Sequence, residues 1–175
     1  MILTLLLLAC SGPDDDSGAD DTGCGGSALF LGSSAFDADG LPIWIDMPAG
    51  SEQTMVHGPQ GGWHLLAAAD VRNTEPIVTL TLTVDWVARS ARISSQLFRV
   101  LLVEHENCGG YFPQMYAILD VAALVDGERD TPPELLAGET LRVELTAEDG
   151  AGTVVTDRRD VVAALDPMDE AATER

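Results

Sequence analysis

An all-β fold, a β-sandwich of about seven or eight strands, is predicted for most of this 175-residue chain by three observations. The first is the run Ile77-Val78-Thr79-Leu80-Thr81-Leu82-Thr83-Val84-Asp85-Trp86, where every second residue is apolar and the alternates are threonine or aspartate. Side chains alternate across a strand, so one face of this run is buried and the other is wet. The second is Leu141-Arg142-Val143-Glu144-Leu145-Thr146-Ala147, which repeats the alternation and passes through Glu148-Asp149-Gly150-Ala151-Gly152 to a further extended segment at 153–158. Two such runs around a Gly-rich turn read as a hairpin. The third is punctuation by turns with no regular alternation of strands and helices, which disfavours an α/β fold.

The elements follow in order. Strands are expected at residues 28–31, 63–71, 77–86, 96–103, 115–121, 141–147 and 153–158, with another extended piece around Val161-Val162. Turns are marked by Gly40-Leu41-Pro42, Pro48-Ala49-Gly50, His57-Gly58-Pro59 and Thr131-Pro132-Pro133, because glycine permits positive φ and proline fixes it. Helical turns are expected only at 121–125, 134–136 and 163–165. The pattern Gly138-Glu139-Thr140-Leu141 followed by a Gly-turned hairpin resembles the last strands of immunoglobulin-like modules. That resemblance implies an immunoglobulin-like sandwich, although no tryptophan is bracketed by cysteines at the antibody spacing.

The N-terminus carries an address. Residues 1–9 are a short apolar segment ending Leu7-Leu8-Ala9, followed by Cys10, and this resembles the lipobox of bacterial lipoproteins. The run lacks the usual basic residue before it and is too short to span a bilayer as a helix. The resemblance implies cleavage before Cys10 and lipidation of its sulfur, with Ser11 in place of aspartate pointing to the outer membrane. Residues 10–26 then form an acidic tether that buries too little apolar surface to order itself. A sandwich domain at 27–165 and a flexible tail at 166–175 complete the organisation.

Charge narrows the partners. The formal net charge is -20, from 29 acidic residues against nine arginines and no lysine. Nucleic acid is excluded, because phosphate recognition needs a cationic footprint. Anionic lipid is repelled as well, so membrane lipid is engaged through an acylated Cys10, and envelope proteins are the other expected partners. With Cys10 acylated, Cys24 and Cys108 are expected to pair as a disulfide in an oxidising compartment.

The most individual local sequence is Gln60-Gly61-Gly62-Trp63-His64. It resembles a Gln-Gly-Gly-x-His element of uncharacterised exported lipoproteins of myxobacterial type, a likeness that implies location but no activity. Two glycines allow a tight bend into the strand, and His64 either pins that loop or serves a ligand. If the strands bring His57, His64 and His105 together, two of them with Met55 or Met115 would suit a soft metal such as copper; the methionines more simply read as core filler. Asp37-Ala38-Asp39-Gly40 begins like a calcium loop but lacks its terminal glutamate, and an ordinary Asp-Gly turn is the competing reading. Gln60, Trp63, Tyr111 and Phe112, with Trp44 nearby, form a possible binding loop and stacking surface. Tyr111 and Phe112 equally read as caps on the core.

Catalytic motifs are incomplete. His105-Glu106-Asn107-Cys108 starts like a zinc-protease helix, but the required second histidine is replaced by Gly109. Gly32-Ser33-Ser34-Ala35-Phe36 lacks the second glycine of a nucleophile elbow. The leading expectation is a lipid-anchored envelope module with a structural or binding role. A metal-binding protein for copper or calcium is the alternative, and an envelope hydrolase is third.

Overall fold

Strand formation follows the apolar alternation, and the curvature of the sheet decides which outward residues come together. The computed structural model describes residues 25–58, 62–105, 108–121 and 133–166. The strands are β1 (Ala28–Phe36), β2 (Pro42–Asp46), β3 (Glu52–His57), β4 (Trp63–Arg72), β5 (Ile77–Trp86), β6 (Ala91–Leu101), β7 (Val103–His105), β8 (Gly109–Leu119), β9 (Thr140–Asp149) and β10 (Val154–Leu165). One short helix, α1 (Pro133–Leu136), precedes β9. The fold is all-β: a single ten-stranded sheet curls into an open half barrel that is broadly sandwich-like. Its hydrogen-bonded order is β2-β1-β4-β3-β10-β9-β5-β6, with β8 added to β4 and β7 to β8. β3 runs parallel to β10, and the other pairings are antiparallel.

The core lies inside this curl. Val78, Leu80, Leu82, Val84 and Trp86 of β5 are buried beside Leu141, Val143, Leu145 and Ala147 of β9, in direct register. Leu65, Ala67, Ala69 and Val71 of β4, with Met115, Ala117 and Leu119 of β8, contribute to the same cluster. Burying each leucine contributes about 1.5–3 kcal/mol. The Trp86 indole N–H donates to Glu139 at 2.8 Å, so its polar edge is satisfied where the ring is buried.

The β9–β10 hairpin closes around Asp149. Its Oδ1 accepts from the backbone N–H of Ala151 and Thr153, and Oδ2 accepts from that of Glu75 at 3.2 Å. Those amide donors hold the Asp149 carboxyl below the usual range, with the Thr153 bond the largest cause. Gly152 takes a φ of 84°, which a side chain would oppose.

Several expectations are corrected. Residues 163–165 are strand rather than a helical turn, because Ala163 to Leu165 pair with Gln53 to Met55 of β3. Extended segments around 153–158 and 161–162 are one strand, and β2 and β3 add to the expected set. The expected Cys24–Cys108 staple falls partly outside the described residues. Cys24 lies outside them, Cys108 is the only cysteine inside them, and Cys108 is disulfide-bonded rather than a free thiol. Within the described residues its loop is held by backbone, with Cys108 at a φ of 55° and its carbonyl accepting the Asn73 N–H at 2.9 Å.

Candidate binding crevice

The β1–β2 hairpin bends over β4 and β8 on the side away from the core, and β2 lies against β8. Ser34 Oγ, in the far half of β1, donates to the Pro113 carbonyl of β8. Ala68 and Asp70, which alternation directs away from the core, are accordingly buried. Between hairpin and sheet is a crevice of about 230 Å³ lined by Ile43, Trp44, Asp70 and Tyr111.

Each wall has a local cause. The Trp44 indole crosses β1 where Gly32 has no side chain; a Cβ there would come within 2.1 Å of Trp44 Nε1. That nitrogen donates to the Phe30 carbonyl at 3.2 Å, which orients the ring. Asp70 and Tyr111 are cross-strand partners and so share a face. Asp70 is only 7% exposed, and its Oδ2 accepts from Arg72 Nη2 at 3.0 Å. A buried carboxylate requires such compensation. The Arg72 guanidinium also lies 4.6 Å from the centre of the Phe30 ring, and its Nε is buried without an acceptor.

Two other hollows offer less varied chemistry. One, of about 270 Å³, lies around Pro76, Leu102, Glu104 and Gly110; the other, of about 300 Å³, lies around Glu75, Thr79, Arg99 and Glu148. Neither presents an aromatic face.

The sequence candidates are scattered over the sheet. Cys10, Cys24 and Gln60 lie outside the described residues. Met55 and Met115 are fully buried in the core. His57 packs against Trp63 at a ring separation of 5.1 Å, and Trp63 in turn packs on the core. His64 meets the edge of Tyr116 at 5.9 Å and covers Gly58, where a Cβ would lie 2.1 Å from the imidazole. Burial, and then the neighbouring His57, lower its pKa below 6.5.

His105 belongs to the opposite end of this sheet. It pairs with Gly109, which pairs with Arg72, and Arg72 is eight residues from His64 along β4, roughly 26 Å at about 3.3 Å per residue. The three histidines therefore do not converge. Among the described residues no group of three or more His, Cys, Asp or Glu is placed to hold a metal ion.

Asp37 and Asp39 form a turn between β1 and β2. Asp37 Oδ1 accepts from the N–H of Asp39 at 2.9 Å and of Leu41 at 2.8 Å, the internal pairing of an Asx turn. Tyr111 and Phe112 divide their roles, since successive strand residues face opposite ways: Tyr111 lines the crevice and Phe112 packs on the core. Sequence reasoning missed Asp70, Arg72, Phe30 and the purpose of Gly32. The available signal was Asp70 itself, a charge inside the apolar run 65–71.

Chemically, the crevice offers ring faces, one aliphatic wall and a compensated carboxylate, which are binding groups. No family model and no curated protein matches this sequence in comparison with known proteins.

Proposed function

We propose that this chain is an exported envelope lipoprotein, held at the outer membrane by an acylated Cys10, whose domain is a binding module. The crevice between the β1–β2 hairpin and β4–β8 is its binding site, and that crevice carries the reading. It combines two aromatic side chains with a nearly buried carboxylate, the mixture of apolar wall and few polar groups that small-ligand sites use.

The scaffold is an immunoglobulin-like sandwich in this reading. Support comes from the strand order β3-β10-β9-β5-β6 in one half, β8 on β4 in the other, and the parallel β3–β10 pair where the chain passes between halves. Loops and strand faces of such a rigid scaffold are where binding residues are placed. The acidic segment after Cys10 would hold the domain away from an anionic surface.

Co-sedimentation with isolated cell envelopes tests the reading, using full-length Cys10→Ser protein so that lipid does not contribute. The parent protein should pellet with envelopes, while Trp44→Ala in the same background should not. Equal pelleting of the two would refute a binding module centred on this crevice.

A further inference from the structure

We propose that the crevice takes a single neutral saccharide ring, an inference that rests on the binding-module reading and specifies its ligand. A sugar ring has an apolar face of C–H groups and an edge of hydroxyls. Trp44 and Tyr111 offer ring surfaces for the first, and Ile43 closes the apolar wall. Asp70, in the crevice wall, offers an acceptor for the second, and the part-exposed Arg72 guanidinium, held to it at 3.0 Å, stands beside the crevice as a donor set.

Charge selects against ionic ligands. The Asp70 carboxylate is balanced by the Arg72 guanidinium, so the pair provides hydrogen-bonding atoms without a net local charge. A cationic ligand would have to approach the guanidinium, and an anionic one would meet the field of a chain at -20. A neutral polyhydroxyl ring escapes both costs. The volume of about 230 Å³ lies below the range of drug-sized pockets, which limits the occupant to one ring with its neighbours left outside.

The site is also built in advance. The indole is oriented by the Gly32 contact and the Phe30 carbonyl, and Arg72 is braced on the Phe30 ring. Preorganisation of this kind lowers the ordering cost of binding.

Titration calorimetry of the full-length Cys10→Ser protein with neutral oligosaccharides of hexose and N-acetylhexosamine units tests the proposal. At least one should bind, Trp44→Ala and Tyr111→Ala should each weaken it about tenfold, and Asp70→Asn should weaken it through the hydroxyl contacts. Leu97→Ala, on the exposed face of β6, should leave it unchanged. Should Trp44→Ala fail to fold, Trp44→Phe and Tyr111→Ala decide the matter. Absence of binding to every oligosaccharide, or equal affinity in folded crevice variants, overturns the proposal.

The two readings separate in the envelope experiment. If Trp44→Ala abolishes pelleting but periodate-oxidised envelopes, whose vicinal diols have been cleaved, bind as well as untreated ones, the saccharide is wrong and the module stands. Competition by oligoarginine would then identify a cationic ligand. If Trp44→Ala pellets normally, the module reading itself has failed.

Discussion

At the scale of single residues, His64 shows how a side chain conspicuous in sequence is committed by its surroundings. Its ring occupies the space above Gly58 and meets Tyr116, and burial followed by the proximity of His57 favours the neutral form. A histidine with a depressed folded pKa stabilises the fold fully above its unfolded pKa, about 6.5, and that contribution is lost as pH falls toward the folded value. The thermal midpoint should therefore decline as pH drops from about 6.5, and His64→Phe, which keeps a ring over Gly58, should remove this component. An identical pH profile in His64→Phe between pH 7 and 5 would show that His64 is not responsible. Asp149 and Asp160, held below the usual carboxylate range chiefly by the Thr153 amide and the Arg142 guanidinium respectively, withdraw their stabilisation only at lower pH. The histidine and aromatic identities were visible in the sequence. Their partners were not, because His57, His64 and His105 are placed by strand register over distances no local pattern encodes.

At the scale of elements, legibility tracked how completely a strand obeyed period two. β5 and β9 alternate strictly in sequence because one face is core and the other is mostly part-exposed, so both were readable to within a residue or two. β2 and β3 are short, carry mixed burial and are bounded by turn residues, so the turns concealed the strands between them. β10 continued beyond its polar middle because β3 supplies a parallel partner at Val162 to Leu165, a contact distant in sequence. The face assignment predicts a contrast within β5. Leu82→Ala, in the core, should cost about 2–5 kcal/mol in denaturant unfolding. Thr81→Ala, whose partners across the strands are Leu97 and Thr146, should stay within about 0.5 kcal/mol of wild type. Comparable losses at both positions would mean that the register given for β5 is wrong.

At the scale of the whole molecule, the proposed anchor at Cys10 and the proposed binding crevice are tested separately. The anchoring proposal predicts that wild-type protein carries acyl mass at Cys10 and partitions into the detergent phase on Triton X-114 separation, and that Cys10→Ser does neither. Mass spectrometry finding an unmodified Met1 N-terminus on the mature wild-type protein would contradict it. The curl of the sheet is what sequence could not supply: Trp44 and Tyr111 were visible as aromatic candidates, but only the hairpin bending over β4 and β8 brings them to Asp70. The central claim, that this crevice is the binding site, is tested most directly by the indole N–H resonances of the three tryptophans during titration with a bound envelope fraction or oligosaccharide. Trp44 lines the crevice, Trp63 is packed between His57 and the core, and Trp86 is buried against Glu139. The Trp44 signal should move in proportion to occupancy while those of Trp63 and Trp86 hold still; a static Trp44 signal alongside binding detected elsewhere on the sheet would contradict the claim.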